Sequence, residues 1–453
     1  MDRAHLPVIV IGAGPIGLAA AAHLLRRGET PLVLEAGLSA GASIALWRHV
    51  RVFSPWAYNI DPASRALLEA HGWAAPPAGN FPTGQELLDR YVLPLAALPE
   101  IAPRLRLGAR VTAVSRQGLG RTNTAGRALA PFVVQVQTEQ GEADLLARAV
   151  IDASGTYTQP NPLGASGLPA LGEREHARQF FYGIPQVLGA DRARYAGRRV
   201  LVAGSGHSAF NVLLELAELA RSEPRTAITW VARSTQLRKI LGGADADELP
   251  ERGRLGERLG ALIAQGTLQV ETGFKAATVT GTPGGLVVSD GARDLAPVDE
   301  IVVATGFRPE LAILRELRLA LDEVVESPFA LAPLIDPNIH SCGTVPPHGA
   351  EELKHPEPDF FIVGMKSYGR APTFLLRTGY EQVRSVVLAL SGDWEGARRV
   401  ELKLPETGVC SSNLGDEGGA CCAPADAARG SAPVTLTLGG LPLLPISAGK
   451  PTP

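Results

Sequence analysis

The sequence has little cysteine and no excess of charge of either sign. Four cysteines among 453 residues are too few for the disulfide framework of a small secreted domain. The 43 basic and 46 acidic residues leave a formal net charge of −3. A broad basic surface for nucleic acid is therefore excluded, and we expect no nucleic-acid partner.

A long uninterrupted apolar segment is also missing. The nearly uncharged run Val8–Leu25 is the segment that most resembles a targeting signal, but it lacks the basic region and the small-residue cleavage site that a secretory signal needs. A membrane helix would need about twenty apolar residues, and here three glycines and Pro15 interrupt the run. We therefore expect a cytoplasmic protein without a membrane partner.

What the sequence has in abundance is glycine (50) and proline (36), alongside 45% hydrophobic residues. The glycines follow no strict period, which excludes collagen, and the apolar content excludes global disorder. This combination is typical of a globular chain with many tight turns. The length of 453 residues predicts two or three domains, since one domain takes about 150 residues.

The first 35 residues have the pattern strand, glycine-rich turn, helix, strand. Val8–Ile11 is typical of a buried parallel strand, and Gly12–Gly17 follows it at once with the spacing G-x-G-x-x-G. An alanine-rich helix is predicted over Leu18–Arg27, and a second strand over Leu32–Leu34. Glu35 stands at the end of that second strand.

This pattern has a physical mechanism. The first glycine makes the tight turn, the second lets the backbone approach a diphosphate, and the third allows the helix to pack closely on the strand. The helix N-terminus then offers N–H donors and a positive dipole to the phosphates. Glu35 lies 23 positions after Gly12, where an acid binds the ribose hydroxyls of a cofactor without a 2′-phosphate. We therefore predict an FAD site here.

The same pattern returns near residue 200. Val200–Ala203 is a predicted strand, Gly204–Ala209 a glycine-containing turn, and Phe210–Leu219 a helix. The next strand, Ile228–Val231, is followed by Arg233 where the first unit has an acid. A guanidinium in that place can bind a 2′-phosphate, which favours NADPH over NADH. The alternative is a solvated surface arginine.

Three further segments complete the predicted α/β fold. Ala149–Gly155 and Glu300–Gly306 are strands that end in a small-residue turn, and Phe360–Gly364 is a last strand before a helix over Thr373–Leu390. We predict two Rossmann-like dinucleotide-binding domains, with the NADPH domain inserted in the FAD domain. The predicted ranges are 1–165 for the first part of the FAD domain, 166–330 for the NADPH domain, 331–403 for the returning part of the FAD domain and 404–453 for a Gly/Pro-rich tail. Within the tail, Val434–Leu444 could form a strand or hairpin.

With these motifs the chain resembles the flavin-containing monooxygenase-like branch of flavoproteins with two dinucleotide-binding domains. The resemblance extends from about residue 5 to residue 390. Besides the two glycine turns, the segments that carry it are Trp47-Arg48, Phe81-Pro82-Thr83 with Leu87 and Tyr91, Ala153-Ser154-Gly155 with Pro160 and Pro162, and Ala304-Thr305-Gly306-Phe307.

The resemblance implies the chemistry of an NADPH-dependent FAD monooxygenase. NADPH reduces FAD, O2 adds at flavin C4a to give a (hydro)peroxyflavin, and bound NADP+ shields it from water. One oxygen atom then passes to a small soft nucleophile, such as an amine nitrogen, a sulfur or a trivalent arsenic centre. The cofactors carry this chemistry, while the protein binds them and excludes water.

The resemblance also implies site residues. The family places an asparagine over the flavin in a segment that matches Ser54–Asn59, so Asn59 is the predicted catalytic residue; the alternative is an asparagine that only forms a turn. No metal ligand is predicted. The predicted cofactor contacts are Gly12, Ala13, Gly14, Pro15, Ile16, Gly17, Glu35, Ala36, Trp47, Val111, Ala153, Ser154, Gly155, Gly204, Ser205, Gly206, His207, Ser208, Arg233, Thr305, Gly306, Gly364 and Met365.

The chain departs from the family pattern at several places. His207-Ser208-Ala209 replaces an N-S-G, and the family's identifying stretch is degenerate at Glu175–Tyr182. Met365 stands where many relatives have an aspartate near the ribityl chain. The stretch Val363–Pro372 resembles the flavin monooxygenase-like proteins associated with arsenic resistance.

The cysteines and histidines leave alternatives open. No Cys-x-x-Cys lies near either glycine turn, so no dithiol for disulfide-reductase chemistry is visible. Cys410 and Cys421-Cys422 could bind a metalloid, form a redox pair or belong to a featureless tail. The loop with Cys342 and His348 could line the substrate side of the flavin, ligate zinc or serve structure alone.

Three functions are therefore compatible with the sequence. The first is the monooxygenase, acting on O2 and a small-molecule substrate. The second is an NAD(P)H-dependent flavin reductase or oxidase acting on a thiol, a quinone or a metalloid. The third is a flavin redox sensor or metalloid-binding protein without catalysis. The sequence predicts neither the substrate nor the oligomeric state.

Overall fold

Two five-stranded parallel sheets form the framework of the protein. In this computed structural model the described residues are 3–237, 241, 250–339, 345–372 and 374–402. The first sheet has the strand order β15-β7-β1-β2-β3 and the second the order β11-β10-β9-β14-β8. In chain order the strands are β1 (Val8–Ile11), β2 (Pro31–Leu34), β3 (Leu105–Arg106), β4 (Arg110–Arg116), β5 (Phe132–Thr138), β6 (Gly141–Ala147), β7 (Ala149–Asp152), β8 (Phe180–Tyr182), β9 (Arg199–Ala203), β10 (Ala227–Ala232), β11 (Gln269–Thr272), β12 (Thr278–Thr282), β13 (Gly285–Ser289), β14 (Glu300–Val303) and β15 (Phe360–Ile362).

Helices cover the sheets and connect their strands. Within the described residues the α-helices are α1 (Pro15–Arg26), α2 (Ala42–Ala45), α3 (Trp56–Asn59), α4 (Pro62–Ala70), α5 (Gly84–Leu87), α6 (Leu93–Ala96), α7 (Arg192–Tyr195), α8 (His207–Ser222), α9 (Pro250–Ala264), α10 (Ala332–Ile335), α11 (Ala350–Leu353), α12 (Leu376–Leu390) and α13 (Trp394–Arg398). A 3-10 turn, Gly364–Tyr368, follows β15. None of the described helices is long and apolar enough to cross a membrane.

Strand β1 shows why its sequence is apolar without alternation. All four of its residues are buried. Val8 and Val10 pack into a core with α1 and α12, whereas Ile9 and Ile11 pack into a second core with the antiparallel sheet β4-β5-β6. A parallel strand that is covered on both faces needs apolar side chains at every position.

The second sheet repeats this arrangement. Val200 and Val202 of β9 pack against α8, while Leu201 and Ala203 face the hairpin β12-β13. The predicted α/β class with two parallel dinucleotide-binding sheets is confirmed. The first sheet takes its edge strand β15 from the end of the described chain, after the whole second sheet. The predicted domain boundaries stay predictions.

Several helices begin or end at residues other than those predicted from the sequence. Helix α1 begins at Pro15, inside the predicted turn, because a proline without an N–H is well suited to the first helical position. Helix α8 extends beyond the predicted Phe210–Leu219 to His207–Ser222, and α12 begins at Leu376. The predicted tail element Val434–Leu444 lies outside the described residues.

His355 gives the fold a dependence on pH. Its ring is buried with 9% exposure and packs near Phe360, with ring centroids 5.8 Å apart. Burial lowers the pKa of His355 from 6.5 to about 4, because the core disfavours the charged imidazolium. Burial of the neutral ring stabilises the folded state fully above pH 6.5, where the histidine is also neutral in the unfolded chain. This stabilisation is lost as the pH falls towards 4, because the unfolded chain then binds a proton that the folded state does not.

We therefore expect the free energy of unfolding to fall by about 3 kcal/mol between pH 7 and pH 4 from His355 alone. The variant His355→Leu should show a shallower loss over this interval in urea titrations. The exposed His71, which pairs with Glu100, provides a control: His71→Leu should not remove this loss. An unchanged pH dependence in His355→Leu would contradict the assignment.

Candidate functional site

The first glycine turn joins β1 to α1 and leaves no room for a side chain at its first and third glycines. Gly12 has φ +98°, and a Cβ there would lie 2.9 Å from the carbonyl oxygen of Ala153. A Cβ on Gly17 would lie 1.9 Å from the carbonyl oxygen of Gly12. Glycine is therefore required at both positions, which matches the roles expected for the first and third glycines.

The N-terminus of α1 is open. Gly14 is its N-cap, no side chain caps the helix, and a Cβ on Gly14 would meet nothing within 4 Å. Glu35 lies beside this turn, because its carboxylate accepts hydrogen bonds from the backbone N–H of Ala13 and of Gly37, each at 2.8 Å. The turn thus combines an uncapped helix N-terminus, which can attract an anion, with a carboxylate fixed beside it, while the neighbouring Ala36 is exposed.

The second glycine turn has the same backbone geometry. Gly204 has φ +135°, and a Cβ there would lie 2.3 Å from the carbonyl oxygen of Ala304. Gly206 is the N-cap of α8, again without a capping side chain and with open space around it. Arg233 follows β10, is exposed, and donates one long hydrogen bond of 3.3 Å to the carbonyl oxygen of Ala165. Its guanidinium is available to a ligand.

A third helix start lies beside the first glycine turn. Helix α12 begins at Leu376, also without a capping side chain. A Cβ on Gly379 would lie 2.5 Å from Cδ1 of Ile16, and a Cβ on Gly364 would lie 3.3 Å from the same side chain. The positive ends of α1 and α12 therefore lie close to one another at the carboxyl edge of the first sheet, where they favour an anionic ligand.

A buried ion pair lies at the same edge, and the sequence did not predict it. Lys366 Nζ donates to Asp152 Oδ2 at 2.7 Å and to Ser154 Oγ at 3.1 Å. Ser154 Oγ in turn donates to Asp152 Oδ1 at 2.6 Å, so the side chain of this predicted cofactor contact is bound to the ion pair. The available signal was a lysine two residues after a strand-ending glycine, since lysine is seldom buried unless paired.

Asn59 is buried, and its side chain is bound locally. Its Nδ2 donates to the carbonyl oxygens of Ser54 at 2.8 Å and Pro55 at 3.1 Å, and its Oδ1 accepts from Ser54 Oγ at 2.9 Å. The Tyr380 hydroxyl donates to the Asn59 carbonyl oxygen at 2.8 Å. These bonds correspond to the turn-forming alternative, and the catalytic role stays a prediction.

The loop before Asn59 contacts the second half of the molecule. The rings of Phe53 and His207 lie 5.3 Å apart, and His207 is the first residue of α8. The loop that precedes α3, the helix whose last residue is Asn59, therefore touches the start of the helix at the second glycine turn. Ser205 precedes the N-cap Gly206 of the same helix, and Ser208 is the second helical residue.

The remaining residues predicted to contact a cofactor lie in different parts of the fold. The Trp47 ring packs against Gly84, and Val111 is buried in the core beneath the antiparallel sheet. Thr305 donates from its hydroxyl to the carbonyl oxygen of Asn161 at 3.0 Å. The other members lie at turns of the two sheets, namely Gly155, Gly306 and Met365.

His348 is a core residue. Its Nδ1 lies 3.0 Å from the carbonyl oxygen of Pro346, and its Nε2 lies 2.8 Å from Nε2 of Gln382. Burial lowers its pKa, so the ring is neutral, donates from Nδ1 and accepts at Nε2. Gln382 also accepts from the backbone N–H of Gly364 at 2.7 Å, which places His348 behind the Gly364 turn. The predicted residues Cys342, Cys410, Cys421 and Cys422 lie outside the described part of the chain.

The described residues contain no group of three His, Cys, Asp or Glu side chains that could hold a metal ion. A cleft of about 430 Å3 lies between α1, α4 and α12, and its lining includes His23, Asp61 and Arg377. None of the glycine-turn residues lines this cleft. We therefore do not assign it to cofactor binding.

Two family models match the chain. One described as pyridine nucleotide-disulphide oxidoreductase covers residues 128–330, and one described as FAD dependent oxidoreductase covers residues 7–90. Each range contains one of the two glycine turns. The chain is an FAD-dependent oxidoreductase.

Relatives of this oxidoreductase include both reductases and monooxygenases. A ferredoxin–NADP reductase of Salinispora tropica is 28% identical over 330 residues, which covers 72% of this chain and 82% of that protein. The indole-3-pyruvate monooxygenase YUCCA1 of Oryza sativa is 29% identical over 211 residues, which covers 46% of this chain and 44% of that protein. The resemblance to flavin-containing monooxygenases is thus confirmed at the level of family.

Solved structures have the same fold as this oxidoreductase. The bacillithiol disulfide reductase Bdr of Bacillus cereus matches with a TM-score of 0.61 and 21% identity, covering 85% of this chain and 99% of that one. A flavin-containing monooxygenase of Stenotrophomonas maltophilia matches with a TM-score of 0.52 and 21% identity, covering 85% and 98%. The arsenic-resistance branch stays a prediction.

The second glycine turn provides a paired test of this geometry. Gly204→Ala should destabilise the protein by about 3 kcal/mol, because its Cβ would collide with a backbone oxygen at a positive φ. Gly206→Ala should fold normally, since its Cβ would meet open space. Thermal unfolding of the two variants measures the difference, and equal stabilities would contradict the geometry.

Proposed function

We propose that this oxidoreductase takes reducing equivalents from NADPH into bound FAD and uses them to oxygenate a small soft nucleophile. The observation that carries the proposal is the contrast between the two strand ends. Glu35 presents a fixed carboxylate beside one open helix start, and Arg233 presents an exposed guanidinium beside the other. A carboxylate suits a free ribose, and a guanidinium suits a 2′-phosphate.

FAD fits the first site by the space that the residues leave. The open N-cap at Gly14 and the uncapped start of α12 would receive its diphosphate and the anionic part of its ring, and Glu35 would bind its ribose. When bound, FAD supplies the ring that accepts electrons and reacts with oxygen. Most protein groups at this site are backbone N–H groups, so the geometry of the site depends on how the surrounding segments pack.

NADPH fits the second site. The open N-cap at Gly206 would receive its diphosphate, Arg233 its 2′-phosphate, and His207 would lie where the dinucleotide meets the loop of Phe53. Phe53 and the segment that ends at the buried Asn59 would exclude water from the nicotinamide side of the flavin. The predicted cytoplasmic location would give the protein access to NADPH.

Oxygen as the electron acceptor is supported by the cysteine distribution and by the relatives. The sequence has no Cys-x-x-Cys near either glycine turn, which is where a flavin-linked dithiol would be expected. Disulfide exchange needs such a thiol. The monooxygenases among the relatives favour transfer of oxygen to a small molecule, and a sulfur, nitrogen or trivalent arsenic centre is the acceptor that we propose.

A second candidate function is electron delivery to an external acceptor. The observation in its favour is the length of the match, since ferredoxin–NADP reductases match 72% of this chain and YUCCA1 only 46%. In this case the NADPH and FAD sites would keep the same roles, and the reduced flavin would pass electrons to another protein or a small acceptor instead of oxygen.

Arg233→Ala should lower the preference for NADPH over NADH by tenfold or more, because it removes the cation that pairs with the 2′-phosphate. The comparison of kcat/KM for the two nucleotides measures this, and activity with NADH should change little. The exposed Arg225 in the same half provides the control Arg225→Ala, which should keep the preference. An unchanged preference in Arg233→Ala would refute the assignment of the 2′-phosphate.

Purified protein should be yellow, and NADPH should bleach it. With sulfides, amines or trivalent arsenicals present, we expect oxygen uptake to follow NADPH consumption and isotopically labelled O2 to label the product. Reactions without the nucleophile correct for uncoupled oxidation. NADPH oxidation that yields no labelled product, but that reduces ferredoxin without oxygen, would establish the second candidate instead.

A further inference from the structure

The ion pair between Asp152 and Lys366 is not used by the function proposed above. Its two charged atoms are 2.7 Å apart, and both side chains are fully buried. Removing two charges from water costs free energy, and their mutual attraction often does not offset this cost. An apolar pair of similar volume would give the core equal or greater stability, so the position of these charges needs a reason.

The charged groups of the pair lie beneath the first glycine turn and are linked to it by Ser154. Ser154 links its hydroxyl to both charges, and its backbone N–H donates to Asp152 Oδ1 at 3.1 Å. The Cα of Ser154 would lie 3.0 Å from a Cβ on Gly12, so the backbones of these two turns are in contact. Any displacement of Ser154 would therefore move Gly12.

The backbone of Lys366 belongs to a turn that packs against the start of α1. Lys366 belongs to the 3-10 turn Gly364–Tyr368, and Gly364 packs against Ile16. Gln382 holds this turn by accepting from the Gly364 N–H at 2.7 Å and donating to Ser367 Oγ at 2.9 Å. Lys366 therefore supports the Gly12–Gly17 turn from two sides. Its side chain binds Ser154 next to Gly12, and the 3-10 turn that contains its backbone packs against Ile16 through Gly364.

We propose that Lys366 and Asp152 are positioning residues for FAD, which hold the Gly12–Gly17 turn in its diphosphate-binding geometry from beneath. The inference rests on the proposed binding of FAD. Directional charged hydrogen bonds fix the orientation of Ser154, which apolar contacts would leave free to shift. The pair acts through Ser154 and does not touch the cofactor.

The test is the double variant Asp152→Asn with Lys366→Met, in the full-length chain stripped of flavin. Both side chains keep their approximate shape, and neither charge is left without its partner. We expect the thermal unfolding midpoint of the apoprotein to stay within a few degrees of the wild type, because the loss of the ion pair is offset by the lower cost of burying uncharged groups. The dissociation constant for FAD, measured by titration of flavin fluorescence, should rise tenfold or more.

The exposed Lys354, which pairs with Glu351, provides the control Lys354→Met, and its FAD affinity should stay unchanged. A double variant that binds FAD within threefold of the wild type would overturn the inference but leave the proposed function intact. Wild-type protein that binds no FAD would overturn both. A purely structural role would lower the unfolding midpoint of the apoprotein without this selective loss of FAD affinity, and that outcome also refutes the inference.

If the double variant does not fold, Ser154→Ala decides the question. This change leaves both charges and their direct bond in place but removes the hydroxyl that links them to the turn. We expect a severalfold weaker affinity for FAD and an altered visible spectrum of the bound flavin. Wild-type affinity in this variant would overturn the inference.

Discussion

The close approach of three chain segments around Ile16 is the constraint on which the first site depends. Ile16 is the second residue of α1, and its side chain is packed between Gly364 and Gly379. Because neither neighbour has a side chain, the starts of α1 and α12 can lie close together. A larger residue at either position would separate two helix N-termini whose combined positive ends define an anion site. The position of the two helix N-termini therefore depends on apolar packing around Ile16.

The backbone of both sites was predictable from the sequence, because glycine spacing reflects local steric requirements. Gly12 and Gly204 have positive φ values, as the tight turns predicted there require. The roles proposed for Glu35 and Arg233 follow from their position at strand ends. Each turn and its strand end lie within about 30 positions of one another, and local rules describe them well. The carbonyl oxygens of Ala153 and Ala304 that crowd the two glycines come from distant segments, and local rules do not predict them.

What the sequence could not reveal depends on contacts between distant residues. Lys366 and Asp152 are 214 positions apart, so neither residue indicates that the other is buried beside it. For Asn59 the bonds to Ser54 and Pro55 are local, and the sequence left the turn and the flavin contact open as alternatives, because both place an asparagine at the same position. Side-chain roles that depend on tertiary packing are beyond pattern analysis.

The order of the strands also has a consequence for how the chain acquires its cofactor. All strands of the second sheet lie between residues 180 and 303, so that sheet can assemble as soon as this segment has left the ribosome. The first sheet begins with Val8 but needs β15, which ends at Ile362. The half that begins the chain can therefore be completed only after the segment of the second sheet has been synthesised. A chain interrupted before residue 360 would contain every strand of the second sheet but would lack β15, Gly364 and α12, which border the proposed FAD site.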